Sequence, residues 1–402
     1  MLTFADIEQA RSRIGDQIFV SPCAYSETFS KLTGNKVYFK LENLQMTGSF
    51  KERGAANRIL LLTPEEKRRG VVAASAGNHA QGVAYHATRN GVRAVIVMPE
   101  TTPLVKIAAT RGYGGEVVLH GANYDAAYEE AQRRAREEGL TLLHAFDDEA
   151  IMAGQGTLGL ELLEQNPYLE VVLLAVGGGG LASGVAVAMK ETNPRIKVIG
   201  VQTARVPSMK AALAAGAPVV LPAAHTIADG IAVRRAGDHT VPVLARYLDD
   251  LVTVDEDELA NAVLLLLERE KTVAEGAGAA PLAALVQGRT GITGKRVACV
   301  ISGGNIDVTL LARIIDRGLA KDGRLLRMRV RIPDRPGALH LLTGIVGQLG
   351  ANIMDIQHDR TFDNVEISET IVDVTCETRG TEHALALRDA LVAAGYVLDK
   401  LP

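Results

Sequence analysis

At 402 residues the chain exceeds what one ordinary core encloses, and its length predicts two or three domains. Apolar residues at 47% and charged residues at 22% are globular composition, and a net charge of −4 excludes the basic footprint that nucleic acid or an anionic membrane surface would require. Three scattered cysteines (Cys23, Cys299, Cys376) give neither a disulfide framework nor metal-ligand spacing, no apolar run is long enough to cross a bilayer, and the acidic start with Asp6 and Glu8 is not a secretory signal, so the expectation is a cytoplasmic protein whose partners are small molecules and further copies of itself.

Short apolar runs then alternate with longer amphipathic stretches. Strands are predicted at 37–41, 71–74, 94–98, 116–119, 141–144, 171–176, 197–201 and 296–301, with helices between them, for example at 102–111, 124–138 and 181–191. Continuous apolar strands separated by helices predict parallel sheets covered on both faces. In such folds ligands collect where strand ends meet helix starts. A polar stretch at 317–324 reads as a linker. Beyond it the order strand 325–332, helix 337–349, strand 352–358, strand 366–375, helix 382–394 and a last short strand is β-α-β-β-α-β, the ferredoxin-like unit.

Four loops carry chemistry. In Thr47-Gly48-Ser49-Phe50-Lys51-Glu52-Arg53-Gly54, the spacing of Ser49 and Glu52 predicts a capping box at a helix start. Lys51 then lies in the first turn, where backbone N–H groups disfavour a further positive charge and favour the neutral amine that Schiff-base chemistry needs; an exposed helix lysine is the plainer alternative. The loop Ser75-Ala76-Gly77-Asn78-His79-Ala80-Gln81-Gly82 follows a strand and presents N–H groups suited to a carboxylate or phosphate, or else is a simple helix cap. Gly177-Gly178-Gly179-Gly180-Leu181 joins strand 171–176 to a helix. Four glycines carry a heavy conformational-entropy cost, and bare backbone that can wrap a phosphate is their use. Gly177, Gly179 and Ala182 also satisfy a loose dinucleotide fingerprint, but Gln202 stands where its acidic ribose ligand belongs. Ser302-Gly303-Gly304-Asn305 brings a hydroxyl to the end of strand 296–301, unless Ser302 is an N-cap.

In this order the four loops resemble the fold-type II pyridoxal-phosphate (PLP) enzymes, most closely their threonine/serine dehydratase branch. The likeness runs from about Ser21 to Thr309, with lesser matches at His144-Ala145-Phe146-Asp147-Asp148, Ala153-Gly154-Gln155-Gly156-Thr157, Ala228-Asp229-Gly230 and Glu275-Gly276-Ala277-Gly278. It implies an α/β fold like the tryptophan synthase β chain, with two open parallel-sheet subdomains. The PLP-dependent catalytic domain would span 1–320, with a small subdomain at about 52–150. By the same resemblance Lys51 holds the cofactor as a Schiff base and later acts as base at Cα, and Phe50 packs on the pyridine ring. Asn78 bonds the ring's O3′, Gly177, Gly178, Gly179, Gly180 and Leu181 enclose the phosphate, and Ser302 faces the ring nitrogen. Ser75, Ala76, Gly77, Asn78 and His79 take the substrate carboxylate. A neutral serine does not enforce a protonated ring, which suits prompt loss of a β-hydroxyl. Serine racemases of the family carry a second acid/base serine where this chain has Ala76, and carboxylate metal ligands near Gln202 and Ser208, so racemisation and a divalent metal are disfavoured.

The segment 325–402, with Ile332-Pro333-Asp334-Arg335-Pro336-Gly337-Ala338-Leu339 and Leu349-Gly350-Ala351-Asn352-Ile353, resembles an ACT domain. The resemblance implies an amino-acid effector, isoleucine or valine by analogy with pathway feedback, at Asp334, Gly337 and Asn352; a ligand-free dimerisation module is the alternative. The expectation is a threonine ammonia-lyase, a homodimer or homotetramer, forming 2-oxobutanoate and ammonia, with serine also a substrate. Serine or hydroxyaspartate dehydration, serine racemisation, an NAD-dependent oxidoreductase and a non-catalytic amino-acid sensor are the competing readings. Intact Lys51, Asn78 and Ser302 speak against the last.

Overall fold

The computed structural model describes residues 1–359 and 366–399. Two compact units divide the chain, one covering Met1–Ile306 and the other Asp307–Pro402.

In the first unit the strands are β1 (Cys23–Ser26), β2 (Lys36–Leu41), β3 (Val71–Ala74), β4 (Ala94–Met98), β5 (Glu116–Leu119), β6 (Thr141–Leu142), β7 (Val171–Ala175), β8 (Lys197–Thr203), β9 (Asp250–Val254) and β10 (Arg296–Ile301). They form two open sheets, ordered β1-β2-β10-β7-β8-β9 and β5-β4-β3-β6. Every pairing is parallel except that of β1 with β2. Central strands β3, β4 and β7 are buried along their whole length. That explains why they read as unbroken apolar runs, since helices cover both faces. Among those helices, Glu149–Gln165 and Gly180–Thr192 are themselves almost wholly buried.

The predicted strands are all present, several with the expected ends. Two edge strands, β1 and β9, carried no continuous apolar signal, because an edge strand needs only part of its surface covered. The parallel order brings the ends of β3, β7 and β10 out into the Ser75, Gly177 and Ser302 loops. A cavity of about 560 Å³ lies at the opposite edge, lined where β7, β8 and β10 begin, at Val171, Lys197 and Arg296.

The second unit opens with the helix Val308–Lys321. The expected linker 317–324 is therefore corrected: its first half is helical, and only Asp322, Gly323 and Arg324 turn the chain. Strands β11 (Leu325–Pro333), β12 (Asn352–Asp359), β13 (Glu369–Glu377) and β14 (Val397–Asp399) follow, with helices Ala338–Gln348 and Thr381–Ala393. Their order β12-β13-β11-β14, with antiparallel pairing throughout, is the ferredoxin-like topology read from the pattern. Val330, Ile332, Leu342, Val346, Val372, Val374, Leu387 and Leu391 form its core.

Candidate active site

Lys51 lies in the first turn of the helix Lys51–Leu60, as expected, but the helix starts one residue later than a Ser49 cap would set it and the capping box is not there. Phe50 precedes the helix with no side-chain cap; the Glu52 carboxylate accepts the Thr47 N–H, and the buried Ser49 hydroxyl has no partner among the described residues. The loop is held instead by the strand-β10 loop. The Phe50 N–H donates to the Ser302 carbonyl at 3.0 Å, Ser49 and Gly303 form an antiparallel bridge, and the Asn305 amide donates to the Thr47 carbonyl at 2.7 Å. Gly48 has φ +74°, and a Cβ there would lie 2.6 Å from Asn305 Oδ1, so only glycine fits. Ser302 is buried and no helix follows it directly, so it is not an N-cap.

The Lys51 amine donates to the Ala145 carbonyl at 2.7 Å and lies 5.2 Å from the centre of the Phe50 ring. Burial pushes its pKa down to about 8, with Glu275 partly opposing the shift. A neutral, nucleophilic amine is thus accessible near physiological pH.

Gly177, Gly178, Gly179, Gly180 and Leu181 are all buried. Their neighbours occupy the space that side chains would need. A Cβ on Gly178 would stand 2.3 Å from a Phe146 ring carbon, one on Gly180 2.8 Å from the Phe146 carbonyl, and one on Gly179 2.9 Å from the Thr240 hydroxyl. Phe146 directly follows Ala145, so one short segment touches both the Lys51 amine and the glycine turn. Gln202 lies elsewhere: its Oε1 accepts the Lys210 N–H at 2.9 Å.

Asn78 opens the helix Asn78–Arg89. Its Oδ1 accepts from Asn305 at 2.8 Å and its Nδ2 donates to Glu275 at 2.8 Å, which fixes the amide's orientation and leaves one N–H free to point elsewhere. Glu275 is buried, and burial together with Asp229 pushes its carboxyl up to about 7. Ser75 accepts the Gly77 N–H at 3.2 Å, and Ser75, Ala76, Gly77 and Asn78 are half-buried around that turn. His79 donates from Nε2 to the Leu143 carbonyl at 3.1 Å; burial and the nearby Lys51 charge push it down to about 3, so it stays neutral. Its Nδ1 is buried with no partner among the described residues.

The sequence carries Ala145, Phe146 and Glu275 only inside family-like segments, with no role attached, and gives no signal at all for Thr240 at the glycine turn. Nor did it reveal the buried ion network behind Lys51. There Arg53 bonds both oxygens of Glu42, at 2.7 and 2.8 Å, and both oxygens of Glu161, at 2.6 and 2.8 Å. Lys40 also donates to Glu161. The available signal was a set of charges inside otherwise apolar elements.

In the second unit, Asp334 and Gly337 share the turn after β11, where Gly337 has φ +86°. Asn352 is not beside them. It pairs with Glu377, as does Leu325 at the start of β11, so it lies at the far end of the sheet, about 26 Å away by strand rise.

The first unit's site fits a planar group with an aldehyde at one end and a phosphate at the other: a largely buried amine of lowered pKa, a run of bare glycine backbone packed too tightly against Phe146 and Thr240 for side chains, and unpartnered buried hydroxyls at Thr47 and Ser49. Comparison with known proteins agrees. The chain is 48% identical over 396 residues, 98% of either chain, to an L-threonine ammonia-lyase of Thermotoga maritima. A crystal structure of a T.th. threonine deaminase superposes with TM-score 0.72 at 41% identity, covering 76% of this chain and 99% of that one. Maize serine racemase gives TM-score 0.75 at 33% identity, covering 80% and 98%. The family described as pyridoxal-phosphate dependent enzyme matches residues 14–303, and the chain belongs to it.

Proposed function

We propose that the protein is a PLP-dependent threonine ammonia-lyase, converting L-threonine to 2-oxobutanoate and ammonia, with L-serine as a slower substrate. The observation that carries the reading is the Ala145–Phe146 step, which joins a depressed-pKa amine to a glycine cradle. When bound, the cofactor supplies the electron sink for breaking bonds at Cα. In this reading Lys51 holds the cofactor and removes the Cα proton, and Ser75, Ala76, Gly77, Asn78 and His79 hold the substrate carboxylate. Asn78, oriented by Asn305 and Glu275, has one N–H left that would serve the cofactor ring, Ser302 would serve its nitrogen and Phe50 its face, and Gly177 to Leu181 would hold the phosphate. A neutral His79 adds no charge to the carboxylate loop, leaving its N–H groups to do the binding. Water leaves the substrate and a second water releases ammonia, so threonine balances 2-oxobutanoate plus ammonia.

Racemisation is the weaker reading: Ala76 has no proton to give, and the Gln202 and Ser208 side chains are engaged with backbone groups at Lys210 and Val233. Hydroxyaspartate remains the other β-hydroxy substrate to compare. The catalytic domain is read as 1–320 and the ACT domain as 325–402, in a homodimer or homotetramer. Its branched-chain amino-acid site would lie at the Asp334–Gly337 turn; since Asn352 stands at the other end of the same sheet, a site using it as well needs a second copy.

The test is direct. Borohydride reduction should attach the cofactor to Lys51, as read by peptide mass, and threonine should yield a 2-oxo acid. A Lys51→Ala protein that still turned over threonine at the full rate would overturn the proposal.

A further inference from the structure

The glycine turn is not free to choose its own conformation. The Thr240 hydroxyl donates to the Gly178 carbonyl at 2.6 Å, and Thr240 is completely buried. The peptide between Gly178 and Gly179 is trans, so fixing that carbonyl aims the Gly179 N–H the opposite way, out of the Thr240 side of the turn. Gly179 itself has φ +101°, and the Ser183 N–H bonds its carbonyl at 2.8 Å at the start of the following helix.

Thr240 is held in turn. It opens the helix Thr240–Tyr247, and the Asp147 carboxylate accepts the N–H groups of Asp238 at 2.9 Å, His239 at 2.8 Å and Thr240 at 3.3 Å. The contact is close: a Cβ on Gly237 would sit 2.2 Å from Asp147 Oδ1. Asp147 follows Phe146 and Ala145, and its own N–H donates to His144 Nδ1 at 2.8 Å. Successive residues therefore bind the amine through the Ala145 carbonyl, wall the glycine turn through the Phe146 ring, and lock Thr240 onto Gly178 through the Asp147 carboxylate.

We propose that the 144–147 segment and Thr240 are positioning residues that set the distance and orientation of the glycine turn relative to the Lys51 amine, and so the span into which the cofactor's phosphate and aldehyde ends must fit. The inference rests on the reading that this turn takes the phosphate. Thr240 never touches the reacting atoms; it acts through the Gly178 peptide. Thr240→Val keeps the shape of the side chain and deletes the hydroxyl, leaving the buried Gly178 carbonyl with only the long 3.4 Å contact from the Gly237 N–H, which itself loses the hydroxyl it donates to at 3.1 Å.

The experiment titrates the apoprotein with PLP and with pyridoxal, which lacks the phosphate, following the absorbance of the bound chromophore. Thr240→Val should bind PLP about tenfold or more weakly while its affinity for pyridoxal holds, and the bound phosphorus resonance should move. Thr240→Ser, which retains the hydroxyl, should restore both readouts. Equal weakening towards PLP and pyridoxal would mean general damage and overturn the positioning role, as would a Thr240→Val protein that binds PLP like the wild type. If the wild-type apoprotein held pyridoxal as tightly as PLP, the phosphate reading of the turn would itself fall, and this inference with it.

Discussion

Replacing Lys51 should make the cofactor-free protein more stable. The amine is forced into a dry setting that lowers its pKa from the usual 10.5 to about 8. That difference is worth roughly 3 kcal/mol at about 1.4 kcal/mol for each tenfold change. Lys51 keeps some exposure, so a realistic range is about 1.5–3 kcal/mol. The sign follows from proton linkage. Between the folded and unfolded pKa values the unfolded chain binds more protons, so wild-type stability rises with pH across that interval; below about 8 the full penalty is present. Lys51→Met removes the penalty. At about 1.2–1.6 °C per kcal/mol for a chain or first unit of this size, the variant should melt roughly 2–5 °C higher at pH 7, and the gap should close towards pH 10.5. Thermal melts of both apoproteins at several pH values measure this directly. Equal melting temperatures at pH 7, or a gap that does not change with pH, would refute the reasoning. A residue whose removal stabilises the fold is one retained for its chemistry.

Glu275 should behave with the opposite sign: its carboxyl is raised from 4.5 to about 7, so the folded state holds the extra proton and stability declines as pH rises through that window. Urea unfolding at either end of the window should show that decline in the wild type and a flatter profile in Glu275→Gln. Arg53→Met strands the buried carboxylates of Glu42 and Glu161, and urea unfolding should register a loss of about 3–5 kcal/mol. Gly178→Ala drives a Cβ to within 2.3–2.5 Å of three Phe146 ring atoms. Its PLP affinity in apoprotein titration should fall by about tenfold or more, and Phe146→Leu in the same chain should recover part of the loss.

Much of this was legible before any fold was known. Apolar runs such as 94–98 and 171–176 have the length of a covered strand and alternate with helical patterns, and the structure has strands at 94–98 and 171–175. The glycine run 177–180 marked bare backbone at a strand-to-helix turn, and it does join strand Val171–Ala175 to helix Gly180–Thr192; that Gly179 is the one with left-handed φ came only from the structure. Such signals are local, because backbone hydrogen bonding and turn geometry act over a few residues.

Tertiary structure alone decided which distant groups meet. Ser49 and Glu52 had capping-box spacing, yet Glu52 turned to Thr47 once the loop was laced to Gly303 and Asn305. The Ala145 carbonyl reaches an amine 94 positions earlier, and Thr240 a carbonyl 62 positions earlier. Asn352 stands far from Asp334 because strand direction, rather than residue type, assigns each to an end of the sheet. Contacts of this kind depend on the order and register of strands packed from across the whole chain, and no stretch of sequence carries that order by itself.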